Sequence, residues 1–222
     1  LQAALNSLPG TSVQLRRLAE KLLVERPDLD LLLGFALNEP VPRAKLYVLR
    51  PANEPIEDFA QLSEDTLMQA GISRQWTQDQ IASAGQVPAF LALDLKSDGS
   101  STGKLYFSFD DGEDVDRFLA CLNEDGLRAT LRQVQPHVSN NPVGRLVVTT
   151  RAQSAHTVDV TLHAHLCSLP NMPPGLAAAW SDLKATAAKD GFGPIQYSYA
   201  SWLSGPMPAQ SLYYTFSSPR AD

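Results

Sequence analysis

A unit of two strands flanked by helices, met four times along the chain, constrains this fold more than any other feature. Strand-like runs come in pairs: Leu31–Leu37 with Ala44–Leu49, Phe90–Leu95 with Lys104–Phe109, Arg145–Thr150 with Val158–His165, and Ile195–Tyr199 with Leu212–Phe216. Two runs of β-branched and aromatic residues around a turn read as a hairpin. Pro40 and Pro42 supply the first turn, and Ser97–Gly103 the second. Between the hairpins the apolar period changes to that of a helix. Helices are expected over Ser12–Glu25, Ile56–Gly71, Ser73–Ala84, Glu113–Asn123, Gly126–Val134 and Gly175–Lys189. Superimposing the second strands matches Lys45, Lys104, Asp159 and Ser211, in steps of 59, 55 and 52 residues. A nearly constant period points to an architecture of copies.

Side chains alternate faces along a strand. Arg43, Lys45 and Tyr47 therefore oppose Leu46 and Val48, and Lys104, Tyr106 and Ser108 oppose Leu105, Phe107 and Phe109. Asp159, Thr161, His163 and His165 oppose Val158, Val160, Leu162 and Ala164 in the third hairpin. In the fourth, Tyr213, Thr215 and Ser217 oppose Leu212, Tyr214 and Phe216. The apolar face is expected to carry the helices. The polar face either meets water, as in many antiparallel sheets, or lines the lumen of a curled sheet, which also removes exposed edges. Its Lys and Tyr content favours the lumen. The expected class is α+β: αββα units in one domain, residues 1–222, forming an antiparallel barrel, complete or incomplete, with helices outside.

Composition narrows the partners. With 222 residues, 44% hydrophobic and 19% charged, the chain is that of a globular protein. A net charge of −6 argues against nucleic acid, whose phosphates select a basic surplus. Apolar runs fall short of the roughly 20 residues that span a bilayer, and no signal-peptide pattern opens the chain. Cys121 and Cys167 form neither a disulfide framework nor a zinc site, so a reducing cytoplasm is expected. The chain begins at Leu1 rather than Met, which fits a fragment or a processed form.

Arg43-Ala-Lys-Leu-Tyr47, Lys104-Leu-Tyr106, the preceding Phe90–Lys96 and the terminal Leu212–Phe216 together resemble the aromatic prenyltransferases of the dimethylallyltryptophan synthase type, which have an αββα barrel. The resemblance runs from about Leu31 onward. It implies transfer of a dimethylallyl-like group from a prenyl diphosphate to an aromatic small molecule or peptide, such as an indole. Arg43, Lys45, Tyr47, Lys104, Tyr106 and Tyr213 would hold the diphosphate and prenyl group. Lys and Arg suit the charge that develops on a leaving diphosphate, and Tyr rings suit an allylic cation. No cofactor is obligatory on this reading, and Mg²⁺ is compatible with it.

The sequence also departs from the family. It shows four hairpins where the family has five, and the missing first unit would carry the Glu that takes the arene's proton. Asp159 and Thr161 stand where Lys and Tyr are expected, and Thr102 stands for Arg. A non-catalytic binding or interaction module built on the same repeat is therefore the alternative.

Two other patterns carry weight. Asp110-Asp-Gly-Glu-Asp114 matches a magnesium-binding Asp-Asp-x-x-Asp, but at a strand-to-helix junction it reads first as a helix cap. His163-x-His165 places two imidazoles on one strand face, as candidate acid–base groups. With no third ligand in sight, the pair is not expected to hold a metal.

Overall fold

The computed structural model describes residues 13–36, 43–51, 53–95, 101–138, 146–165, 178, 181–182, 185, 189, 195–204 and 210–216. The described elements are α1 (Val13–Glu25), β1 (Asp30–Ala36), β2 (Arg43–Leu49), α2 (Ile56–Gln69), α3 (Arg74–Ala84), β3 (Phe90–Leu95), β4 (Ser101–Phe109), α4 (Gly112–Cys121), α5 (Asp125–Val134), a 3₁₀ turn (Gln135–His137), β5 (Leu146–Gln153), β6 (His156–His165), β7 (Ile195–Leu203) and β8 (Gln210–Phe216). The class is α+β, and the strands follow one another in chain order from β1 to β8. Contacts divide the chain into two units. One is Leu1–Phe107 with Thr149–Val160, and the other is Ser108–Val148 with Thr161–Asp222.

In the first unit β1 pairs with β2, β2 with β3 and β3 with β4, all antiparallel. Leu46, Val48, Leu91, Leu93, Leu105 and Phe107 point to one side and are fully buried. Phe59 and Leu67 of α2, with Ile72 and Trp76, are buried too. Such side chains each contribute about 1.5–3 kcal/mol when taken from water. Gly103 shows how closely α2 approaches β4. A Cβ there would stand 2.6 Å from Leu67 Cδ2 and 3.0 Å from Ile72 Cγ1. Ser101 donates to the carbonyl of Ala70 beside it.

The helices start where their sequences allow. Glu57 and Asp58 favour the positive end of α2. The hydroxyl of Ser73 caps α3 by accepting from Trp76 N–H at 3.4 Å, and Gly85 closes that helix at φ 65°. The turn of the third hairpin docks on the same helix start. Ser73 N–H donates to the carbonyl of Ser154 at 2.9 Å, and the Trp76 indole N–H to the hydroxyl of Thr157 at 2.9 Å.

In the second unit β6 pairs with β7 and β7 with β8, with an irregularity between Ile195 and Tyr197. Phe109, Val115, Phe118, Leu119, Leu127, Leu131, Leu162 and Trp202 are buried. The rings of Phe109 and Phe118 lie 5.8 Å apart. Asp111 accepts from Glu113 N–H at 2.9 Å and so caps α4. The acidic run Asp110–Asp114 thus does what a strand-to-helix junction requires of it.

Six strands run longer than expected: β2 takes in Arg43, β6 begins at His156, β8 begins at Gln210, and β4, β5 and β7 gain more. β4 begins at Ser101 because Ser101, Thr102 and Gly103 continue the ladder opposite Leu95, Asp94 and Leu93. β5 extends through Arg151 to Gln153, and Arg151 is bound to Asp159. β7 continues through Ser201 and Trp202 to Leu203. Of the expected helix Gly175–Lys189, Ala178, Ser181, Asp182, Ala185 and Lys189 are helical and the rest lies outside the described residues. Arg145, Cys167 and Ser217 also lie outside them.

The repeats are staggered. Across β3, the β4 residue level with Lys45 is Thr102, two residues before the matched Lys104. Across β7, the β8 residue Ser211 is level with His163, four residues after the matched Asp159. Both offsets have the same sense.

Candidate functional site

The site grows from the alternation of β2, β3 and β4 in the first unit. Lys45 lies opposite Asp94 and Asp94 opposite Thr102, making one cross-strand row. Tyr47, Ala92 and Lys104 make the next, and Leu49, Phe90 and Tyr106 the third. Lys45, Tyr47, Lys104 and Tyr106 therefore share a face, as the sequence led us to expect, and all four are half-buried. Lys45 and Lys104 are two strands and one row apart, roughly 12 Å between Cα atoms at ordinary strand spacing. Their side chains are long enough to converge on a common ligand.

Three aromatic rings stand at one end of these rows. Phe90 stacks on Tyr106 with ring centroids 4.0 Å apart and planes 19° apart. Tyr47 tilts against both, at 6.4 Å from each. Gly34, opposite Lys45 on β1, makes room for the Tyr47 ring, because a Cβ there would lie 2.9 Å from Tyr47 Cε2.

The electrostatics centre on Lys104. Burial holds its amine below the usual lysine range, and the charges of Lys45 and Arg151 push in the same direction. Asp159 and Asp94 act the other way through space. Asp159 is bound to Arg151, and Asp94 is buried at 6% exposure. The face thus gathers three cations and two carboxylates beside a π surface. It can bind an anionic group next to a planar or cationic one.

The remaining expected residues are placed less fully. Arg43 lies on β2 opposite Ala36, and its side chain is outside the described residues. Tyr213 belongs to the second unit, on β8 opposite Tyr199, and its side chain is likewise outside them. His163 and His165 are both on β6 in that unit. His163 Nδ1 lies 2.6 Å from Ser201 Oγ, the residue opposite it on β7. His165 is buried, and burial lowers its proton affinity. Among the described residues, no group of three or more His, Cys, Asp or Glu is placed to hold a metal ion. Nor is any described helix long and apolar enough to cross a membrane.

Sequence reasoning missed Asp94, Arg151 and Phe90 as members of this face. The signal for two of them was present: Phe90-Leu-Ala-Leu-Asp-Leu95 alternates Leu with Phe, Ala and Asp, so Phe90 and Asp94 share a side. Arg151 escaped because the strand was ended one residue before it.

No family model matches the chain, and no curated protein is similar to it.

Proposed function

We propose that the polar strand face of the first unit binds a prenyl diphosphate and that the protein transfers the prenyl group to an aromatic acceptor such as an indole. The observation that carries this reading is the gathering of Lys45, Lys104 and Arg151 beside Tyr47, Phe90 and Tyr106. Loss of diphosphate breaks the allylic C–O bond, and both electrons leave on oxygen. Lys45, Lys104 and Arg151 offset that negative charge, and offset it most as it develops. The aromatic faces stabilise the allylic cation and keep water from it. The arene's carbon then bonds to the cation, and its proton passes to a general base outside this set.

The reading includes a sheet curled into a barrel, with this face inward and the helices outside. A stagger of the same sense in both units supports it, since strand tilt and shear must accompany closure. Magnesium is compatible with the reaction and not required by it, and the cytoplasm is the compartment that fits a chain with two cysteines.

The test is incubation of the chain with dimethylallyl diphosphate and a panel of indoles and phenols. A prenylated product is expected. No product together with no binding of the diphosphate would rule the reading out.

A second reading, a ligand-binding module without the chemistry, draws on Asp159, which neutralises one cation of the set by binding Arg151. Diphosphate binding without product in the same experiment favours it.

A further inference from the structure

Lys104 sits in surroundings that a purely charge-pairing lysine does not need. Ala92, between Tyr47 and Lys104 in their row, is only 3% exposed, so the longer side chains around it close over it. The charged groups facing the amine are Lys45 from β2, Asp94 from β3, Arg151 from β5 and Asp159 from β6. Two of these are cations that repel an ammonium, and one of the two carboxylates is already bound to Arg151. Burial, first of all, disfavours the ammonium here and so favours the neutral amine and its lone pair.

We propose that Lys104 is a nucleophilic amine that forms an imine with a planar, anionic aldehyde or ketone, its anionic group held by Lys45 and Arg151 and its ring by Tyr47, Phe90 and Tyr106. This goes beyond prenyl transfer, since Lys104 bonds to the ligand rather than pairing with it. The amine lone pair attacks the carbonyl carbon to give a carbinolamine. Both hydrogens of the amine then leave with the carbonyl oxygen as water, and C=N replaces C=O. No oxidant or reductant is consumed. Desolvation and neighbouring cations are the two known ways to make a lysine nucleophilic near neutral pH, and both operate on Lys104. The more the ammonium is destabilised, the larger the reactive fraction of the amine.

Pyridoxal 5′-phosphate tests this directly, because it combines an aromatic aldehyde with a phosphate. The whole chain is treated at neutral pH with less than one equivalent, reduced with borohydride, digested and read by mass spectrometry. Lys104 is expected to take the pyridoxyl group faster than the exposed Lys21. Lys45→Gln is expected to slow labelling at Lys104, by removing an anchor for the phosphate and a charge that repels the ammonium. Labelling at Lys104 no faster than at Lys21 overturns the proposal, and so does a rate unchanged by Lys45→Gln. Inorganic diphosphate added as competitor separates this from the prenyl reading. Labelling that diphosphate does not block leaves the amine and removes the diphosphate site. Diphosphate binding without labelling does the reverse.

Discussion

Cations are set out differently on the strands of the first unit and on the helices of the second. On α4 and α5 every described arginine has a carboxylate close by. Arg117 pairs with Asp114, Arg128 with Asp116 at 2.8 Å and Asp125 at 3.1 Å, and Arg132 with Asp116 at 3.8 Å. These groups lie at or near the surface, where such pairs are worth about 0–1 kcal/mol each. Their mutual effect is to raise Arg128 and lower Asp116 in proton affinity, so both stay charged. On β2, β4 and β5 the cations are half-buried, and Lys45 and Arg151 destabilise the charge on Lys104. The helix arrangement lowers the energy of the folded chain by itself. On the strands Arg151 is paired with Asp159 in the same way. The charge on Lys104, however, stays disfavoured by burial and by Lys45 and Arg151 until something else, an anion or an electrophile, arrives.

The apolar side of each unit should show no such contrast. Phe107 and Phe118 are 0% and 1% exposed. Changing either to Ala is expected to cost about 3–5 kcal/mol in urea unfolding, from lost transfer energy and the cavity left behind. A loss below 1 kcal/mol in one and not the other would mean that the two cores are not equally well packed.

Ligand binding should break the symmetry. Lys45→Ala and Lys104→Ala are each expected to weaken diphosphate binding by about 1.5–3 kcal/mol, the range for hydrogen bonds to charged groups. Arg128→Ala and Arg132→Ala are expected to leave it unchanged, because those side chains are engaged with Asp116 and sit on helices. Isothermal titration checks all four. Equal losses in all would mean that diphosphate responds to net charge alone.

A smaller effect belongs to the joint between the third hairpin and α3. Thr157→Val removes the acceptor of the Trp76 indole N–H while keeping the side chain's shape. A loss of about 1 kcal/mol in the same unfolding assay is expected. No change would mean that water replaces the threonine hydroxyl without cost.

Much of this arrangement could be read from the residues because strands alternate. Leu46, Val48, Leu105 and Phe107 announced the buried face, and Lys45, Tyr47, Lys104 and Tyr106 the other. Stagger could not be read in that way. Matching Lys45 with Lys104 fixes their faces, but their relative height depends on β3 and on where its ladder begins. Near that start Gly103 fits beneath Leu67 and Ile72, a contact between residues far apart in sequence. Arg151 was lost for a related reason: the strand was ended at Thr150, and the pairing of Arg151 with Asp159 shows only once the strand runs past it. His163 was seen as a facing imidazole, but its bond to Ser201 needed β7 to continue past Tyr199.

The smallest expected effects lie in pH dependence, and they separate the units by pH window. His165, in the second unit, has its proton affinity lowered from 6.5 by burial. Below that value the unfolded chain binds the proton more readily than the folded one, so stability falls as pH drops from about 6.5 toward the folded value. Above 6.5 its contribution is level. Lys104, in the first unit, has its proton affinity lowered from 10.5, so the same sign applies in the alkaline range. Stability falls as pH drops from about 10.5 to the folded value, and the loss persists at neutral pH. Lys104→Met is therefore expected to raise the melting temperature at pH 7 while weakening anion binding. His165→Gln should leave the melting temperature at pH 8 near that of the parent chain and flatten its fall below pH 6.5. A Lys104→Met chain that melts lower at pH 7 would show that the strand cations are satisfied in place, which would erase the contrast with the arginines of α4 and α5.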